Sequence, residues 1–311
     1  MELRPKSTAF HRYRLVADML PPDFDILLDI GGYSRINGKQ NGRGRSLRQL
    51  EMTWGVHSGQ YVEGERRRLR TTLNSPTAEY DNERISDLKG DACALDIDDK
   101  KFFTVTCVDT IEHIPPEGRR SALQEMIRVS RNRVIVVNPF HSDENELHEI
   151  NLTELLIQND LPVSPALLEH QKYGLPDLEG MDRAIHDSGV HYIKTFHSLR
   201  HVYHAYYKVQ VELINELWDL GVTEAEAKEV VLTLSDIVSV LLNDLDYLAN
   251  ESNSRRVRYV IKPESVPCVS RANESNRPPD IQRYFVLIPQ DRHAQLIWKY
   301  FSKIYQESMN A

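Results

Sequence analysis

The chain has 311 residues, 41% of them hydrophobic, and a formal net charge of −8. That length suits one α/β domain with a sizeable insertion or tail, and the apolar fraction excludes global disorder. The acidic balance argues against a broad phosphate-binding surface, so nucleic acid is an unlikely partner.

Three cysteines, Cys93, Cys107 and Cys268, form no CxxC pair and give no disulfide framework. No run of about 18 apolar residues is present, so no membrane span is expected. The first residues, MELRPKSTAFHRYRL, lack the apolar stretch of a signal peptide, which makes a cytoplasmic protein the default expectation.

In chain order, residues 8–20 read as a short helix stopped by Pro21-Pro22. Asp25–Ile30 (DILLDI) is a compact apolar run ending in Gly31-Gly32, the pattern of a buried parallel strand feeding a turn. Residues 35–70, rich in Gly, Asn and Arg, have no clean period and read as a loop or insertion, with one short helix at 47–53. A short strand is expected at 69–74. Phe102–Asp109 is a β-branched and aromatic strand, followed by Pro115-Pro116 at the start of a helix over 117–130. Arg133–Val137 is a further buried strand. A helix at 176–188 and a strand at 189–196 follow.

From 199 to 250 the pattern is helical. Thr223 and Glu226 form a capping box, and Ile214, Leu217, Val230, Leu234, Ile237, Val238 and Leu241 make apolar stripes. The stripe needs a partner, either the chain's own domain or a second copy, and a homodimer through these helices is the favoured expectation. A strand at 256–261, a Pro/Ser/Asn-rich stretch at 263–280, a strand at 282–288 and a closing helix at 294–305 complete the chain. Alternating strands and helices of this length imply a mainly parallel, Rossmann-like α/β sheet covered on both faces. The division expected is 1–198 for the cofactor-domain core, 199–255 for a helical insertion or lid, and 256–311 completing the domain.

A parallel sheet places its ligand across the carboxyl ends of its strands, where the first turn must let the backbone come close. LLDIGG supplies an apolar strand, Asp29 and two glycines, although Tyr33-Ser34-Arg35 replaces the third glycine of a full loop. GDACALDID at 90–98, FFTVTCVDTIEHIPPE at 102–117, EMIRVSRN and RVIVVNPF at 133–140 then follow in order. This succession, over Leu27 to about Phe196, resembles class I S-adenosylmethionine-dependent methyltransferases, in particular a small-molecule and glycan-associated branch. LLEHQKYGLPDLEG at 167–180 is similar to a segment of that branch.

The resemblance implies S-adenosylmethionine as cofactor. Asp29, Gly31 and Gly32 would line its methionine part, with Asp29 near the amino group or capping the next turn instead, and Tyr33 would be a further cofactor-binding residue. Asp91 and Ala92 would meet the adenine, or form a plain Gly-Asp turn. Asn74 stands where an acidic residue would bind the ribose, and an amide is the weaker acceptor. Asp109 would contact the methionine amino group. Glu112 and His113 are the catalytic candidates, His113 removing a proton from an acceptor hydroxyl, or both filling a polar gap at a helix start.

Asn138-Pro139-Phe140 resembles a motif of DNA adenine methyltransferases but follows the wrong strand. The scattered histidines, His170 among them, read as solvated or core residues, and no metal site is expected. The implied activity is methyl transfer to a small-molecule or glycan hydroxyl. The alternatives are a catalytically degenerate binding or regulatory partner and an RNA or DNA methyltransferase using the Arg-rich 41–70 segment.

Overall fold

A computed structural model describes residues 9–17, 19, 26–31, 69–74, 81–82, 85–262 and 279–310. The sequence expectations for residues 32–68 and 263–278, including Gly32, Tyr33 and the helix at 47–53, lie outside the described residues.

Among the described residues, eight strands form one sheet in the order β3-β4-β2-β1-β5-β6-β8-β7. β1 (Ile26–Ile30), β2 (Leu69–Asn74), β4 (Ile85–Lys89), β5 (Phe102–Val108) and β6 (Ser130–Pro139) are mutually parallel. β8 (Ser254–Lys262) inserts antiparallel between β6 and β7 (His191–Leu199), and β3 (Asp81–Asn82) is a two-residue antiparallel edge on β4. The Rossmann-like sheet expected from the alternating pattern is therefore present.

The chain leaves β1 for β2 and β4 on one side, then returns to β5 and β6 on the other, so the strand order reverses between β1 and β5. Such a switch point leaves a crevice at the carboxyl ends, since the two crossovers diverge to opposite sides.

Over β1, β5, β6 and β8 one face of the sheet is apolar. Leu28 and Ile30 of β1, Val105 and Cys107 of β5, Val134 and Val136 of β6, and Tyr259 and Ile261 of β8 meet α2 (Pro116–Val129) and α5 (Leu178–Asp187). The alternation puts Leu27, Asp29, Thr104, Thr106 and Ile135 on the opposite face, where α1 (Ala9–Ala17) packs with Leu15 and Val16 buried. Fully burying both faces explains why these strands read as near-continuous apolar runs.

Two helices absent from the expected series, α3 (Asp143–Gln158) and α4 (Pro165–Tyr173), follow β6. α3 begins at Ser142, whose hydroxyl accepts from the Asn145 amide, but its apolar residues are spread around the helix. Leu147, Ile150 and Ile157 are exposed while Leu152 and Leu156 are buried, which hides the helical period.

α6 (Arg200–Asp219) and α7 (Glu224–Leu245) form a hairpin, and the Thr223–Glu226 capping box is present. Its stripes do not face outward. Ile214, Leu217, Val230, Leu234, Ile237, Val238 and Leu241 are each 3% exposed or less, packed with Ile297, Phe301 and Ile304 of α9 (Ala294–Met309). The expected dimer face is thus consumed inside the chain, because α9 returns to cover it. The 282–288 segment is also corrected. It is a short helix, α8 (Gln282–Phe285), followed by turns. Tyr284 and Ile288, four residues apart, are the buried pair, while Phe285, Val286 and Leu287 are exposed, which is helical rather than alternating burial. The Tyr284 hydroxyl donates to Asp244 at 2.6 Å, anchoring it to α7.

Candidate functional site at the carboxyl ends of the strands

The registers Ile30↔Leu73, Asn74↔Lys89 and Ile30↔Cys107 bring the ends of β1, β2, β4 and β5 to one level. Strands lie about 4.8 Å apart, so the edge from β4 to β5 extends about 14 Å, the length scale of an extended nucleoside-type ligand. Gly31, Asn74, Asp91 and Thr110 stand along this edge or directly beyond it.

Gly31 is needed for two reasons. Its φ is +73°, and a Cβ there would sit 2.2 Å from Thr110 Oγ1. The Thr110 hydroxyl lies 3.0 Å from the Val108 carbonyl and 3.3 Å from that of Ile30, so it tacks the first turn to the end of β5. Among the described residues, the first turn therefore meets the end of β5 through backbone and the Thr110 side chain.

Asp29 is buried, at 2% exposure, and accepts from the Thr106 hydroxyl of its register partner at 2.7 Å. Its carboxylate faces a sheet neighbour on the α1 side. Asp91 is exposed beyond β4, and its Oδ1 accepts the Cys93 amide at 2.8 Å, forming the Gly-Asp turn. The turn fixes the carboxylate at the edge of the crevice and leaves Ala92 half-buried beside it. Asn74 closes β2 beside Lys89.

Asp109 departs from its expected role. Its backbone adopts φ +43°, and its carboxylate meets Arg12 of α1 and Arg256 of β8. Arg256 of β8 donates through Nε to Oδ1 at 3.0 Å and through Nη2 to Oδ2 at 2.8 Å, and Arg12 of α1 also donates to Oδ2. Burial alone would raise this carboxyl's pKa, but the two guanidiniums hold it well below the usual carboxylate range. With both oxygens committed to guanidiniums, Asp109 ties α1 and β8 to the end of β5 rather than receiving a cofactor amino group.

Glu112 and His113 lie in a 3₁₀ turn, Ile111–His113, directly after β5. Glu112 is fully buried, and among the described residues neither carboxylate oxygen has a hydrogen-bond partner. Burial, then the nearby Asp109 charge, pushes its pKa well up. His113 has a pKa lowered by burial and by the neighbouring His170, against the opposing pull of Glu169, whose Oε2 is 2.8 Å from His113 Nδ1. It is therefore a neutral imidazole at pH 7, able to accept a proton.

Sequence reasoning missed the partners of this pair. α4 packs on the 3₁₀ turn and brings His170, whose ring centroid is 4.8 Å from that of His113. His170 Nδ1 is 3.0 Å from Glu149 of α3, and Arg255 donates to the same Glu149 oxygen at 2.9 Å. Nearby, His148 is buried with its pKa pushed down to about 2, chiefly by burial and then by Arg255. A cavity of about 490 Å³ lined by Arg200, His201, His204, Glu307 and Asn310 opens at the β7 side of the sheet, away from the β1–β5 crevice.

No protein-family model matches the sequence, and no curated protein matches it. Among solved structures, the chain is similar to a SAM-dependent methyltransferase from Thermotoga maritima, at 15% identity over 82% of this chain and 89% of that one, with a TM-score of 0.45. A SAM-dependent methyltransferase from Archaeoglobus fulgidus matches at 14% identity over 82% and 92%, with a TM-score of 0.42. Phosphoethanolamine N-methyltransferase 2 of Haemonchus contortus, in complex with S-adenosyl-L-methionine, matches at 14% over 81% of this chain and 51% of that one, with a TM-score of 0.45. No helix among the described residues is long and apolar enough to cross a membrane.

Proposed function

We propose that this chain is an S-adenosylmethionine-dependent methyltransferase acting on a hydroxyl of a small molecule or glycan. The observation that carries this reading is the β1–β5 switch point, with Gly31 and Thr110 at its floor, the exposed Asp91 at one end and Glu112–His113 at the other. The residues fit such a cofactor. Gly31 would allow the backbone to approach, Asp91 would offer a carboxylate to an exocyclic amine, Ala92 would offer a small apolar contact to the ring, and Asn74, at the end of β2, would meet the ribose.

The cofactor supplies a methyl group already activated by its sulfonium. The protein's task is then to hold the acceptor oxygen in line, exclude water and take one proton. His113, neutral at pH 7, accepts the proton of the acceptor hydroxyl, and Glu169 stabilises the imidazolium that results. Asp109, pinned by Arg12 and Arg256, holds the start of the Thr110–His113 segment in place. α3 and α4 wall the acceptor side, and Arg200 of the α6–α7 hairpin donates to Asn145 of α3 at 3.1 Å, which ties residues 199–255 to that wall.

The test is transfer of a labelled methyl group from S-adenosylmethionine to a panel of sugars, phenols and short RNA and DNA. Transfer to the hydroxyl compounds, abolished by His113→Ala, supports the reading. Transfer to nucleic acid alone replaces the acceptor class, and no transfer with retained cofactor binding points to a binding partner.

A further inference from the structure

We propose that Glu112, His113 and His170 form a binding site for one divalent transition-metal ion. Each residue offers one ligand atom, and the three atoms lie within 4.8 Å of one another. Two imidazoles and one carboxylate, with positions left open, are a donor set suited to zinc, iron, cobalt or manganese.

Three features separate this group from a chance cluster. Glu112 is fully buried, with both oxygens lacking a hydrogen-bond partner among the described residues, a costly arrangement unless something else compensates it. His170 Nε2 likewise has no hydrogen-bond partner and sits 3.8 Å from Glu112 Oε1. That is too long for a hydrogen bond but close to the ~3.4 Å separating two ligands on a tetrahedral ion at ~2.1 Å.

The third feature is the support behind His170. Its Nδ1 faces Glu149 at 3.0 Å, and Glu149 is held in turn by Arg255 at 2.9 Å. A metal-binding histidine characteristically donates its other ring N–H to a carboxylate, which fixes the tautomer and aims the free nitrogen at the ion. Here that leaves Nε2 directed toward Glu112. The His113 side chain is 25% exposed, so its ring can adjust toward the other two ligands.

The binding site stands independently of methyl transfer, whereas its catalytic role rests on that reading. An acceptor hydroxyl in an open position would become more acidic, as metal-bound water does. The O–H proton would pass to Glu169, which is 51% exposed beside His113, and the ion would take over the acidifying task from the imidazole.

The experiment is titration of the chelator-stripped full chain with cobalt(II), followed by visible absorption and calorimetry. The variants are Glu112→Gln, His170→Gln and His170→Asn, with His141→Gln as a histidine control outside the cluster; melting curves confirm that each is folded. The expected result is one cobalt per chain, with affinity at least tenfold weaker in each cluster variant and unchanged in the control. Absence of saturable binding to the wild type, or equal binding by folded cluster variants, overturns the site. A parallel titration with S-adenosylhomocysteine keeps the two readings apart: cobalt bound without the nucleoside retains the metal site and removes methyl transfer, and the reverse does the opposite.

Discussion

Replacing Asp109 by Asn isolates one charge at the end of β5. Asparagine has nearly the same shape and tolerates the positive φ of +43°, so the backbone is undisturbed. Three charge-assisted hydrogen bonds, two from Arg256 and one from Arg12, lose their anionic acceptor. The side chains of Arg12 and Arg256 are only 7% and 4% exposed, so water cannot take the place of the carboxylate. Breaking a buried pair from one side costs about 3–5 kcal/mol, most of it the penalty of uncompensated buried charge. Arg256 keeps its 2.7 Å bond to the Tyr203 hydroxyl, which places the expectation at the lower end, about 3 kcal/mol. Urea unfolding followed by circular dichroism measures it through the midpoint at constant slope. A loss below about 1 kcal/mol would mean that the two guanidiniums are solvated and that Asp109 is available to a ligand after all.

Other substitutions test the remaining parts of the account. Asp91→Ala should weaken S-adenosylhomocysteine binding by about 1.5–3 kcal/mol in calorimetry while leaving the melting temperature within a few degrees, and unchanged affinity would misplace the adenine. Gly31→Ala should destabilise the fold by more than about 1 kcal/mol, and adding Thr110→Ala should recover only part, because the clash is relieved and the positive φ of +73° is not; full recovery would remove the backbone argument. His148, with a folded pKa of about 2 against an ordinary 6.5, stays neutral when its unfolded counterpart takes up a proton, so stability falls as pH drops below about 6.5. Between pH 7.5 and 5.5 this residue should contribute about 1.4 kcal/mol of loss, and His148→Asn should flatten the acid limb by that amount; parallel profiles would contradict its burial as a neutral imidazole.

What could be read in the sequence depended on how local its cause was. DILLDI, FFTVTCVD and RVIVV announce buried parallel strands because both faces of each are covered, and the capping box at Thr223 lies within four residues. Partners could not be read. Asp109 meets Arg12 and Arg256, 97 and 147 residues away, and nothing in CVDTIEH distinguishes a pinned carboxylate from a ligand-facing one. His170 reaches Glu112 only because α4 folds back over the 3₁₀ turn, and α3, which carries Glu149 behind His170, hides its period by exposing Leu147, Ile150 and Ile157. The stripe on α7 was legible as apolar, but its cover, α9, lies beyond residue 290 and carries its own apolar face of Ile297, Phe301 and Ile304. In QRYFVLI, β-branched and aromatic composition suggested a strand, whereas burial of Tyr284 and Ile288 at helical spacing decided otherwise.

Methyl transfer by this chain requires that the crevice between β1 and β5 hold the methyl donor. Calorimetric titration of the full chain with S-adenosylhomocysteine tests this most directly. The predicted result is saturable binding at one site per chain with micromolar affinity, weakened by Asp91→Ala. No heat of binding to the folded wild-type protein would contradict the methyltransferase assignment itself.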